Sequence, residues 1–327
     1  MNVGRTLRIL APFVAAVLVA CVPLVVADSF YLQIFTFAGL NALVVVGLAL
    51  LFGYAGQISL GHAAFVGIGA YTCAFCTVTL HLPWLVAMVA AGALSGAGGL
   101  ILALPSLRLK GHYLAMATLG FGQLMTLVFV EATRVTGGVN GRGGIPFPTV
   151  GPVVFHGAAS LYWLVWGVVA VAVVVAYNLT SARPGRAMRA VHGSELGAEA
   201  SGVDIVSVKV RTFVLSALLA GLSGALYAGV VGFVSPSSFT LTTSIGFVAM
   251  TVLGGSGSLA GPLAAAVLLT LVQYLDSLIP GLPQSAARTL QTYQQDIYGL
   301  AIVLVVVLAP RGLAGAWRRR RKGVGTA

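Results

Sequence analysis

The stretch SARPGRAMRAVHGSELGAEASGVDIVSVKVR, Ser181 to Arg211, is the only long polar segment between apolar ones. It carries Arg183, Arg186, Arg189, Lys209 and Arg211, with Glu195, Glu199 and Asp204 among them. The chain on either side is hydrocarbon-like, so this segment has to sit in water. Its basic excess assigns it to the cytoplasmic side of a membrane. Pro184 and Gly185 open it, and Gly193, Gly197 and Gly202 interrupt what is otherwise a short amphipathic helix. Two roles fit: a plug for another protein's groove, or a solvated linker whose charges only set topology.

The rest of the composition agrees with a membrane. Of 327 residues, 58% are hydrophobic and 8% charged, where a soluble domain carries about 25% charged residues. The 42 glycines suit helices that approach closely in lipid. A net charge of +11 does not indicate nucleic acid, because the basic residues lie between apolar spans and in the terminal run Arg318 to Lys322. That run fits a topogenic or lipid-facing role. Cys73 and Cys76 form a lone C-x-x-C without a second ligand pair, so they and Cys21 are assigned to helix packing. Arg5 and Arg8 before a long apolar run resemble a signal peptide. The run is longer than a usual signal core and is taken as a retained first span.

A helix needs about 20 residues to cross the hydrocarbon. Segments of that size fall at 9–27, 31–52, 58–80, 84–104, 112–131, 160–180, 212–233, 240–255, 260–279 and 295–309. These predict an all-α polytopic protein of about ten transmembrane helices in one domain, 1–327, with a central cytoplasmic loop, 181–211, and a basic cytoplasmic tail, 312–327. With both ends inside, fifteen of the 18 basic residues are cytoplasmic, and only Arg134, Arg142 and Arg288 lie outside. An odd number of spans destroys that asymmetry. No acid or Lys/Arg is left at mid-membrane depth, which weakens the case for an ion-driven carrier.

Two stretches break helical regularity: Gly53 to His62 between spans two and three, and Leu253 to Leu259 between spans eight and nine. Irregular backbone at depth is tolerated only inside protein or along a cavity. Spans 2–5 and 7–10 run in opposite senses, so an inverted repeat is expected with these breaks as counterparts. Gly56, Gln57, Ser59 and His62 from the first break, and Gly255, Ser256 and Ser258 from the second, are candidate walls of a translocation pathway. Gln123 and Thr126 in span five join them. The same glycines equally serve tight packing, with His62 bonded to a neighbour. The glycine-rich loop Thr136 to Pro146 lacks the G-x-x-x-x-G-K-[ST] of a nucleotide site. The five histidines are scattered, with neither H-E-x-x-H nor paired carboxylates, so neither a metal site nor a catalytic centre is expected.

Gly53-Tyr54-Ala55-Gly56-Gln57-Ile58-Ser59-Leu60-Gly61-His62-Ala63-Ala64-Phe65, followed by Gly67, Gly69, Ala70 and Tyr71, closely resembles the M-type permease subunit of bacterial ABC importers for branched-chain amino acids. The resemblance takes in Arg108 to Tyr113, the Thr136 to Pro146 loop, Gly185 to Ala190, Phe213 to Ala217, Ala220 to Tyr227, Leu253 to Pro262 and Pro310 to Leu313. It implies a pore-forming half in the bacterial cytoplasmic (inner) membrane. Its partners would be a second, H-type permease, two cytoplasmic ATPases and a periplasmic solute-binding protein. No cofactor is expected in this chain, with ATP-Mg held by the ATPases. The resemblance further implies that the central loop couples to the ATPases through Gly185, Arg186, Arg189, Glu195, Ala198, Glu199 and Gly202. Gly193, Ser194 and Gly197 depart from the family pattern, and added glycine predicts a shorter, looser helix.

The expected mechanism is alternating access, with ATPase closure pushing on residues 185–202 and tilting spans six and seven. Replacing Glu195 by Arg is then expected to leave the fold intact and abolish solute-stimulated ATP hydrolysis. Urea or short amides, which travel through close relatives, are the alternative solutes. A stand-alone secondary transporter or channel is the second alternative, distinguished by uptake through the chain alone.

Overall fold

The computed structural model describes residues 28–106, 111–255, 258–274 and 299–300. The first helix, α1 (Ser29–Leu48), starts where the Asp28 carboxylate accepts a hydrogen bond from the Phe30 N–H at 2.9 Å. Such a cap satisfies one of the helix's orphan donors. It runs on into a π-helical turn, Ala49–Tyr54. The helices after it are α2 (His62–Val78), α3 (Trp84–Ser106), α4 (His112–Glu131), the single turn α5 (Thr133–Thr136) and α6 (Gly157–Ser181). The polar segment forms α7 (Arg183–Gly193) and α8 (Glu195–Ala200), and α9 (Ile205–Val231), α10 (Leu241–Gly254) and α11 (Ala260–Gln273) follow. Among the described residues, strands form two antiparallel pairs, each strand two residues long. One joins β1 (Arg142–Gly143) to β4 (Phe233–Val234), and the other joins β2 (Thr149–Val150) to β3 (Val153–Val154).

Six of these helical segments are long and apolar enough to cross a membrane: Ser29–Tyr54, Trp84–Pro105, His112–Glu131, Gly157–Ser181, Ile205–Val231 and Pro236–Gly254. Two shorter apolar helices accompany them: His62–Val78, between the first two, and Ala260–Gln273, after the last. The expected spans 9–27 and 295–309, the tail 312–327 and Ser256 lie outside the described residues, but for Gly299 and Leu300.

Two expected helix starts move most, and the helix placed at 260–279 ends at Gln273. The span placed at 58–80 is only His62–Val78, because Ala55 to Gly61 is taken up by an irregular crossing. The span placed at 212–233 begins at Ile205 instead. The Asp204 carboxylate accepts from Ser207 N–H at 3.0 Å and caps it there. At 27 residues this helix is about 40 Å long, longer than the hydrocarbon is thick. Lys209 and Arg211 therefore belong to its first turns and not to a loop.

In lipid, helices associate by close packing and interhelical hydrogen bonds, not by a hydrophobic force. The chain uses both. Helix α9 packs on α2 and α3, and α1 packs on α6, α9 and α11. A Cβ on Gly69 would collide with the Gly221 carbonyl, and one on Gly224 with the Val66 carbonyl. Backbone therefore meets backbone where α2 crosses α9. The Ser95 hydroxyl of α3 lies 2.7 Å from the Ala217 carbonyl of α9 and 3.0 Å from the Phe65 carbonyl of α2. Around α1, Ser223 donates to the Leu40 carbonyl at 2.8 Å, Trp166 Nε1 to the Phe35 carbonyl at 3.1 Å, and Asn41 Nδ2 to Thr270 Oγ1 at 2.9 Å. Each such bond contributes about 0.6 kcal/mol in a membrane protein, so the fit of the small residues carries more of the stability.

Candidate functional site, a helix break held from four sides

Between the π-turn and α2 the chain runs irregularly from Ala55 to Gly61. The π-turn uses wide bonds, from Ala55 N–H to the Leu50 carbonyl at 3.1 Å and from Gln57 N–H to the Leu51 carbonyl at 3.0 Å. A helix restarting after such a break exposes N–H groups without partners in their own helix. Inside a membrane these need donated oxygens.

Neighbouring helices supply them. Leu60 N–H donates to Thr118 Oγ1 of α4 at 2.9 Å, and Ala63 N–H to Ser244 Oγ of α10 at 3.0 Å. His62 is fully buried, its Nδ1 2.8 Å from Ser59 Oγ and its Nε2 2.7 Å from Ser216 Oγ on α9. Whichever ring nitrogen carries the proton donates and the other accepts. On the fourth side, the ring of His192 in α7 lies 3.3 Å from where a Cβ on Gly56 would be. The Arg189 guanidinium, also on α7, is 5.9 Å from the Tyr54 ring centre.

The sequence-derived pathway residues fall into different settings. Gln57 is 7% exposed, and its Oε1 has no hydrogen-bond partner among the described residues. Ser59 and His62 are buried and satisfied by each other and by Ser216. Gln123 is exposed, and it borders a crevice lined also by Leu60, Leu119, Phe239 and Ser244. That crevice, about 10 Å³, holds about one water molecule. Thr126, half-buried, donates its hydroxyl to the Gly122 carbonyl at 3.0 Å. At the second break Gly255 takes φ +91°, and Ser258 Oγ accepts from Gly261 N–H at 3.4 Å, at the start of α11. Thr118, Ser216 and Ser244 were not singled out from sequence. The available signal was a hydroxyl inside an apolar span, and each of the three is buried.

The polar segment is an ordered pair of helices. Pro184 falls in the first turn of α7, where its missing N–H costs nothing. Gly185 is seated so tightly that a Cβ would collide with the Thr180 carbonyl, while Met188 and Val191 are buried beside it. Arg186 is exposed, and Arg189 Nη1 donates to the Thr180 carbonyl at 3.0 Å. Gly193 ends α7 and Ser194 caps α8, accepting from Gly197 N–H at 3.1 Å. Gly193 and Ser194 thus end one helix and open the next, which is six residues long. Gly197 lies inside α8 and does not break it. Glu195 in its first turn forms an ion pair with Lys209 at 2.7 Å, the lysine side chain being 7% exposed. Ala198 is buried, Glu199 is exposed, and Gly202, at φ +76°, ends the segment.

Among the described residues no group of three His, Cys, Asp or Glu could hold a metal. The architecture is that of a multi-pass helical membrane protein built on a discontinuous helix, with the amphipathic helix α7 laid against the discontinuity. Residues 30–308 match the family described as branched-chain amino acid transport system / permease component, and the chain belongs to that family. It is 32% identical over 313 residues to the high-affinity branched-chain amino acid transport system permease protein LivM of Salmonella typhimurium, covering 89% of this chain and 70% of that one. The Escherichia coli protein of the same name gives the same figures. The ribose import permease protein RbsC of Haemophilus influenzae is 26% identical, with 94% of each chain covered. No solved structure matches the chain. This is therefore a membrane permease subunit of the ABC-importer type, a transport component and not an enzyme.

Proposed function

We propose that the chain is one half of the translocation pathway of an ATP-driven importer for branched-chain amino acids in the bacterial cytoplasmic membrane. Its partners are a second, H-type permease, two cytoplasmic ATPases holding ATP-Mg, and a periplasmic solute-binding protein. The observation that carries this reading is the likeness to two permeases named for that transport over 89% of the chain. The proposed membrane domain is 1–327, with ten spans and both termini inside. Supporting this, the segments expected at one face meet each other, as Gly56 does His192. Those expected at the other face also meet: Arg142 bonds the Thr79 hydroxyl, and β1 pairs with β4.

A pseudo-two-fold relation between spans 2–5 and 7–10 is supported by crossed packing: α9 on α2 and α3, α1 on α10 and α11. The segment 181–211 is the coupling element, presenting Arg186 and Glu199 outward while Gly185 and Ala198 seat it. The solute passes beside the first break, where the unmet Gln57 Oε1 suits the ammonium of a zwitterion and Gln123 borders the closed crevice. Ser59 and His62 stand one layer behind and hold that wall in place. Gly56, Thr126, Gly255, Ser256 and Ser258 complete the pathway set.

Reconstituting the chain with its partner subunits in proteoliposomes tests the proposal. ATP-dependent leucine uptake is expected, resistant to excess urea or ribose, and none from the chain alone. Gradient-driven uptake by the lone chain, or competition by urea but not by isoleucine, overturns it.

A further inference from the structure

Helix α7 does more than follow α6; its flank bears on the π-turn of α1. Arg189 bridges the two, donating to the Thr180 carbonyl at 3.0 Å while lying 5.9 Å from the centre of the Tyr54 ring. One turn further, the His192 ring lies 3.3 Å from where a Cβ on Gly56 would stand, and Gly56 takes φ +69°, a conformation other residue types rarely adopt. From Gly56 the chain leads within six residues to His62, and through Ser59 and Ser216 to α9. Pi-helical turns are rare insertions that concentrate at functional sites, and one residue of register rotates whatever follows by about 100°.

We propose that Arg189 and His192 are positioning residues acting through Tyr54 and Gly56. A displacement of α7 is thereby delivered to the broken helix directly, as well as through any tilt of α6 and α9. The inference rests on the coupling role proposed above and adds a route to it: the stroke enters the wall of the pathway at the π-turn. The break is then the moving part, and the Ser59–His62–Ser216 chain carries its displacement to α9.

The test uses the assembled transporter in proteoliposomes, with leucine taken up per ATP hydrolysed as the readout. Tyr54 lies on the π-turn, buried and away from the outward face of α7, so its replacement leaves ATPase docking in place. In Tyr54→Leu, leucine moved per ATP is expected to fall about two- to fivefold, the size of an exposed cation–π contact, with ATP hydrolysis retained. Tyr54→Phe keeps the ring and restores the ratio, and His192→Ala lowers it in the same direction. Uptake and hydrolysis falling in equal proportion in Tyr54→Leu, or an unchanged ratio, overturns the proposal.

A second arm needs no solute. In a background lacking Cys21, Cys73 and Cys76, a Gln57→Cys protein is treated with maleimide, with and without ATP and vanadate. Its nucleotide-dependent labelling is expected to disappear in Tyr54→Leu and to persist in Tyr54→Phe; persistence in both sinks the idea. If the wild-type complex takes up no leucine, the import reading fails, while the labelling arm still decides the route.

Discussion

At the scale of single residues, the ion pair between Glu195 and Lys209 changes what a mutation there can report. Lys209 is buried in the first turns of α9 and Glu195 only partly so, with the charges 2.7 Å apart. Removing one member of a buried pair costs about 3–5 kcal/mol, and exposed pairs are worth far less. For this half-exposed carboxylate about 1–2 kcal/mol is reasonable. Glu195→Arg places a second cation against that lysine, so it is expected to lower the thermal unfolding midpoint of the detergent-solubilised protein. Adding Lys209→Glu recovers part of the loss. Lowered stability then confounds the loss of solute-stimulated ATP hydrolysis expected of Glu195→Arg. Glu199, exposed on α8, is the better docking probe: Glu199→Arg leaves the midpoint unchanged and reduces solute-stimulated ATP hydrolysis. Unfolding curves and ATPase assays on the same preparations separate the two effects.

Among the helices, the crossing of α2 and α9 is built from glycines, and their composition alone did not say which of the 42 are needed. Gly224 faces the Val66 carbonyl at a distance no Cβ can share, while a Cβ at Gly120 on α4 meets nothing within 4 Å. Gly224→Ala is therefore expected to destabilise by about 1–3 kcal/mol or more, since backbone must move apart. Gly120→Ala is expected to be neutral or stabilising by about 0.5–1 kcal/mol. Equal effects of the two on the unfolding midpoint would show that the glycines act through helix propensity rather than through contact. Helix α4 is itself instructive. It leaves Tyr113, Met116, Leu124 and Leu127 exposed, as expected of a helix that borders lipid or another membrane chain.

For the whole molecule, the sidedness of the chain is the property everything else depends on. Leu196 on α8 and Val139 in the loop Thr136 to Pro146, proposed above to lie on the opposite face, are both well exposed, at 80% and 74%. With a membrane-impermeant maleimide on intact cells, a Val139→Cys protein is expected to react, and a Leu196→Cys protein only after lysis. The reverse pattern removes the polar segment from the ATPase side and ends the coupling account. Most of the span positions were legible because hydropathy is a local property of about 20 residues. The two helix starts that moved most did so for local reasons the hydropathy window averages away: an Asp204 cap and a glycine-rich break.

The amino acid order by itself determined that the chain is a bundle of apolar helices, where most of them lie, and that one polar segment interrupts them. Transfer from water to hydrocarbon is decided residue by residue, so it can be read along the chain. Only the tertiary structure decided which oxygens satisfy the break, which cation Glu195 meets, and that α7 rests on Tyr54 and Gly56. Those partners come from Thr118, Ser216 and Ser244, 58 to 181 residues away from the atoms they bond. A buried donor takes whichever acceptor the packing brings beside it, and no spacing in the sequence records that choice.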